Sequence, residues 1–274
     1  MQIETKFGCN GIVFISAPRS GEDGLSRRIG EDINLLAISL GQFVFRHITV
    51  TSKKQLIELL QSLESEVENG FRPIVHFDTH GSKENGLEIG ETGELVSWDI
   101  ITEELRKLNT ASGNNLFVFV AACYGFYLLK ALTIKKPCPF FIMFGPSDVV
   151  TFGEVESSVV PFYMKLFKTA SVDAAIQALS CQFEYFHSER MFLISFARYV
   201  REKCLGKGVR ERRERLLTET FEETKLVNTK HIRRNLRKQI KQHLKPTPAL
   251  MSRYAKRFMH GKGKRLINPT YQSV

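Results

Sequence analysis

His80 and Cys123 are the residues of this chain best suited to chemistry. Each stands at the end of an apolar run, and each has a glycine close behind it. The first run is PIVHFDTHGS at 73–82 and the second is NLFVFVAACYG at 115–125. A thiol attacks a carbonyl well only as its thiolate, so it needs a base within reach. An imidazole serves as that base and can later protonate a leaving amine. The N–H groups of Gly81 and Cys123 are the natural donors to the oxygen of a tetrahedral intermediate. A glycine directly after the histidine also lets a substrate backbone come close. This chemistry needs no metal and no other cofactor.

Those side chains must be held by neighbouring strands. Buried parallel strands read as continuous apolar runs, and open α/β sheets carry their sites at the carboxyl ends of strands. GIVFISAPR (11–19), FVFRHITVT (43–51) and PFFIMFGPSD (139–148) are further strand segments of this kind. Between them, 25–42 and 98–110 carry helical spacing. So does 53–70, where Leu56, Leu59, Leu60, Leu63 and Val67 form one face and Gly70 is the stop. GLEIGETGELVS (86–97) alternates polar and apolar residues around glycine turns, which predicts a hairpin off the main sheet. A short helix is expected over 126–134, and two more over 155–169 and 171–186, with Pro161 marking a start or kink in the first. The stretch 190–204 is apolar and aromatic without a clear period. Strands alternating with helices indicate an α/β fold with a mostly parallel central sheet and helices on both faces.

HFDTHGS followed some forty residues later by AACYG resembles the histidine and nucleophile blocks of the caspase-like cysteine peptidases. Ala121 stands where caspases carry glutamine, which fits the prokaryotic branch, including the CHAT peptidases. Phe162-Tyr163-Met164-Lys165-Leu166, followed by Ala174, Ala175 and Ala178, matches that branch's later signature. The resemblance covers roughly residues 10–185 in element order. It implies a caspase-like three-layer α/β sandwich, endopeptidase activity after a chosen side chain, and a His-Cys dyad without an essential third acid. In related peptidases an acidic residue of the substrate pocket selects Arg or Lys. Asp148, after the Gly145-Pro146 turn, is the first candidate for that role, and Glu154 is another. Asp78 alternates with His80 along its strand and is a candidate to orient the imidazole.

Composition divides the chain. Residues 1–200 carry 18 Lys and Arg against 23 Asp and Glu, whereas residues 201–274 carry 21 against 6. The expected organisation is a peptidase domain over 1–204 and a basic, largely helical extension over 205–274. In the extension Lys230, Arg233, Arg234, Arg237, Lys238 and Lys241 recur at helical spacing beside an apolar stripe of Ile232, Leu236, Ile240 and Leu244. Such a helix suits docking on the acidic peptidase domain, on a partner, on a nucleic acid or on an anionic membrane. The five cysteines are odd in number, scattered and free of CxxC pairs, which argues for a reducing cytoplasm. No run approaches the roughly 18 apolar residues of a membrane span, and the first ten residues lack a secretory pattern. The primary reading is a cytoplasmic cysteine endopeptidase acting on a protein substrate, with an activating protein partner expected by analogy. The alternative is a non-catalytic caspase-fold interaction module whose basic tail binds nucleic acid or membrane.

Overall fold

The computed structural model describes residues 7–41 and 43–260. The first residues read for a leader (1–6), the expected helix end at Gln42 and the last stretch of the basic extension (261–274) lie outside the described residues. The chain forms two compact units, Met1–Ser188 and Glu189–Val274.

The first unit is built on a mixed sheet. Its main strands are β1 (Gly11–Ala17), β2 (Val44–Thr49), β3 (Pro73–Ser82), β6 (Phe117–Ala121), β7 (Ile142–Pro146) and β8 (Phe183–His187), in the order β2-β1-β3-β6-β7-β8. All neighbours are parallel except β7 and β8. The short strands β4 (Gly86–Ile89) and β5 (Glu94–Val96) form a hairpin that pairs on the end of β3. Helices α1 (Asp23–Ile38), α2 (Lys53–Glu68), α3 (Trp98–Ala111), α4 (Phe152–Thr169) and α5 (Val172–Ile176) connect the strands. The fold is therefore α/β with a mostly parallel central sheet flanked by helices.

Period-2 alternation divides the core between the two faces. Ile12, Phe14, Ile74, Phe117, Phe119 and Phe144 pack with Ile29 and Ile33 of α1 and with Val159 and Phe162 of α4. The intervening residues, Val13, Ile15, Val75, Phe77, Val118 and Val120, are equally buried and face the other way. The packed pair α2 and α3 buries Leu56, Leu60, Leu63, Ile101, Leu105 and Leu108. Burial of a side chain of this size stabilises by roughly 1.5–3 kcal/mol relative to exposure.

Several sequence expectations change. The segment 171–186 is not one helix: only Val172–Ile176 is helical, and Phe183–His187 is strand β8. Its aromatic residues pair across β7, with Met143 opposite Phe186 and Phe144 opposite Tyr185. That long-range ladder outweighs the local helix preference of the preceding alanines. Helix α4 starts at Phe152 rather than 155 and runs through Pro161 without ending. The segment after Cys123 is a 3-10 helix, Gly125–Ala131.

The second unit contains α6 (whose first residue, Ser188, closes the first unit) as Ser188–Tyr199, a π turn at Val200–Cys204, α7 (Gly206–Thr224), α8 (Lys230–His243) and α9 (Pro248–Phe258). Phe192 stacks on Phe196 and Phe258, and Leu217, Leu244, Ala255 and Met259 are buried with them. The compact unit thus begins at Glu189, while the strongly basic composition begins further along, near 205.

Candidate active site

β3 changes partners at the candidate site. As far as Thr79 it lies in the parallel sheet between β1 and β6, with Asp78 opposite Ala121. From His80 it pairs antiparallel with β4, His80 opposite Glu88 and Gly81 opposite Leu87. β6 ends at Ala121, and Cys123 follows in the turn that leads to Gly125. Tyr124 occupies the left-handed region there, at φ 59°. Gly125 is packed so closely on Val120 that a Cβ would lie 2.7 Å from its Cγ1. A side chain at 125 would therefore push the Cys123 turn off β6.

Gly81 meets the same turn from the other strand. A Cβ on Gly81 would overlap the Cys123 carbonyl oxygen and lie 3.3 Å from Ala122 Cβ. The backbones that carry His80 and Cys123 are thus in direct contact. The loop before α4 touches both side chains. Val150 N–H donates to Cys123 Sγ at 3.4 Å, and the thiol donates to Val150 O at 3.5 Å. Two residues on, the Phe152 ring meets the His80 ring edge-on at 5.6 Å between centroids. No hydrogen bond joins His80 to Cys123 among the described residues.

The imidazole is held from a third side. His80 Nε2–H donates to Glu22 Oε2 at 2.6 Å. Glu22 stands at the N-cap position of α1 without a side-chain capping bond, and the Arg19 N–H donates to the same oxygen at 3.1 Å. Burial pushes the Glu22 carboxyl up, but the hydrogen bonds from His80 and Arg19 outweigh it and leave the group below its ordinary range. The Arg19 guanidinium pairs with Glu88 through both oxygens, at 2.8 and 2.9 Å. The β1–α1 loop is thereby tied to β4 as well as to the imidazole. With Nε2 committed to Glu22, the second ring nitrogen, Nδ1, is the one left to work as a base. The sequence offered Asp78 as the acid to orient the imidazole; the acid hydrogen-bonded to His80 is instead Glu22. Glu22 was not legible, because a polar loop 58 residues before His80 carries no local signal of that contact.

The other candidates are placed differently from one another. Asp78 is buried beneath the site, 6 % exposed, with Oδ2 unpartnered. Burial raises its carboxyl to about 6, against a hydrogen bond with Ser26 and the nearby His80, which both act to lower it. Asp148 is exposed, and its Oδ1 accepts from the Val149 N–H at 2.8 Å. The Asp148 carbonyl accepts from Tyr124 N–H at 3.0 Å, so this residue borders the Cys123 turn. The Tyr124 hydroxyl, hydrogen-bonded to the Asp148 side chain, is held above its ordinary range. Glu154 closes a capping box with Thr151, accepting from its N–H and its hydroxyl, both at 2.8 Å. That cap fixes the first turn of α4 and hence the loop at Val150.

His76, two residues before Asp78, is fully buried between the rings of Phe14 and Phe119, with Nδ1 3.0 Å from the Tyr163 hydroxyl. Burial drives its imidazole down to about 3, so it is a neutral core residue. Among the described residues, no group of three or more His, Cys, Asp or Glu side chains has an arrangement that could hold a metal ion. No described helix is long and apolar enough to cross a membrane.

No protein-family model and no curated protein matches the sequence. Among solved structures, the fold is similar to that of the Arg-specific cysteine proteinase gingipain R, at a TM-score of 0.40 and 13% identity. The match covers 62% of this chain and 40% of that one.

Proposed function

We propose that the protein is a cysteine endopeptidase with Cys123 as nucleophile and His80 as general base and acid. The observation that carries this reading is the backbone contact of Gly81 with Cys123, beside an imidazole already oriented by Glu22. In this mechanism a substrate carbonyl enters against Gly81. The Cys123 thiol releases its proton to Nδ1 of His80, and the sulfur attacks the carbonyl carbon. The N–H groups of Gly81 and Cys123 stabilise the oxyanion. His80 then returns the proton to the leaving amine, and water hydrolyses the thioester by the same route. Glu22 keeps the proton on Nε2 and stabilises the imidazolium that forms in between. The thiol must first leave Val150, a rearrangement of one side chain that an incoming substrate or an activating partner would favour. Asp148, on the rim of the nucleophile turn, would bias cleavage toward Arg or Lys. Its exposure limits that bias to the modest scale of a surface ion pair, about 0–1 kcal/mol.

The Val150 contacts also suit the other reading, a caspase-fold interaction module in which the thiol is only a turn-stabilising group. A peptide library read by mass spectrometry separates the two. A peptidase cleaves a defined subset of sites, enriched after Arg or Lys if Asp148 selects them, and Cys123→Ala abolishes cleavage. Cleavage that survives Cys123→Ala would refute the assignment, as would a folded parent that cuts nothing with its proposed activator supplied.

A further inference from the structure

We infer that α8 is a binding site for a nucleic-acid strand, through its phosphodiester backbone. In α7, three of the five basic residues pair with glutamates of the same helix: Lys207 with Glu211 at 3.5 Å, Arg213 with Glu214 at 3.1 Å and Arg215 with Glu219 at 3.4 Å. α8 contains no acidic residue. Its Arg237 pairs back to α7, with Nε 3.1 Å from Glu214 Oε1. Lys230, Arg234, Lys238 and Lys241 are exposed and have no ion-pair partner among the described residues. At 3.6 residues per turn these four fall within an arc of about 80° and span about 16 Å along the axis. Arg233, about 60° outside that arc, is exposed and donates to Asn228 Oδ1 at 3.1 Å.

A row of like charges costs self-repulsion unless a polyanion neutralises it. At about 3.4 Å per nucleotide along one strand, the row matches roughly five phosphates. A membrane surface fits less well. A helix lying in the headgroup layer must offer its apolar face to the lipid. Here that face is spent inside the unit: Ile232, Leu236 and Ile240 are half-buried, and Leu244 is buried. The exposed pair Leu226 and Val227 lies in the linker before α8, not on the row. The inference does not depend on the peptidase assignment.

The test uses the full chain and short fluorescein-labelled single-stranded RNA, single-stranded DNA and duplex DNA, with anisotropy read from about 50 to 200 mM salt. Phosphatidylserine vesicles form a separate arm, read by co-sedimentation. Binding that weakens steeply with salt is expected, and the tightest of the three nucleic acids identifies the source of the phosphates. Replacing Lys230, Arg234, Lys238 and Lys241 together by Gln should weaken binding at low salt by at least about tenfold. It should also lower the log–log salt slope by about 3, four cations at roughly 0.7 each on a single strand. Circular dichroism shows whether that variant is folded. If it is not, the charge-preserving set Lys230→Arg, Arg234→Lys, Lys238→Arg and Lys241→Arg must bind within about twofold of the parent with the same slope. Absence of nucleic-acid binding at low salt, an unchanged slope in the folded Gln variant, or binding to vesicles alone overturns the inference.

Discussion

Gly81→Ala is the most direct probe of the candidate site, because the structure gives the size of the disturbance. A methyl group at 81 would penetrate the Cys123 carbonyl oxygen while its neighbours, Ala122 Cβ and the Cys123 carbonyl carbon, already sit at 3.3 Å. Ordinary contact begins near 3.4 Å. The closest atom is backbone and the Ala122 Cβ is fixed rigidly to its own backbone, so no flexible side chain can swing away. The ends of β3 and β6 must part by about 1 Å, and a displacement of that size at reacting groups costs on the order of 100-fold in rate. That is about 2.7 kcal/mol of transition-state stabilisation. Overpacking should lower folding stability by about 1–3 kcal/mol at the same time. Hydrolysis of a peptide found by library screening gives kcat/KM. Alkylation of Cys123 by iodoacetamide, followed by peptide mass spectrometry, reads the site without needing a substrate. Both rates should fall in a variant that remains folded. A folded Gly81→Ala protein with parental kcat/KM and parental alkylation would refute the view that this backbone contact sets the geometry of His80 and Cys123.

Glu22→Gln keeps the shape but removes the charge that faces His80, and should lower kcat about 100-fold at unchanged KM. A rise in KM alone would mean that Glu22 serves substrate binding instead. Asp78→Asn should stabilise the fold at neutral pH, because the carboxyl is harder to ionise in the folded chain (about 6) than in the unfolded one (3.8). The folded state then holds its proton more tightly, so the stability contribution is complete below 3.8 and is lost as pH rises through 6. The loss approaches about 3 kcal/mol. Unfolding free energies from urea titration of the parent and Asp78→Asn should therefore diverge by about 2 kcal/mol between pH 4 and pH 8, and parallel curves would rule out a buried, titrating Asp78.

The sheet was legible where strands are buried on both faces. β1, β3, β6 and β7 are continuous apolar runs ending in polar or glycine-rich turns, and the parallel order follows from the helices between them. α2 was equally plain from its Leu56, Leu60, Leu63 and Val67 stripe. β8 was hidden because five residues carry little period of their own and the ladder with β7 decides their state. Thr151 and Glu154 formed a readable capping box, yet the glutamate drew attention as a pocket acid instead. At the candidate site, the histidine and cysteine stood out because each ends a strand beside glycine. Glu22, Val150 and Phe152 did not, since each reaches the site from a loop or a helix start whose position only the assembled sheet defines.

The strand order has a consequence for how the chain assembles as it is made. Once β1 and β2 have paired, β3, β6, β7 and β8 each join the edge that the previous strand left open, in the order they emerge. No strand must wedge itself between two partners already bonded, so synthesis from the N-terminus can extend the sheet stepwise. His80 takes its place on that growing edge before Cys123 exists, and the Val150 loop arrives later still. A nascent chain shorter than about 150 residues therefore lacks the loop to which the Cys123 thiol bonds, and the candidate site reaches its described geometry only when most of the first unit has been made.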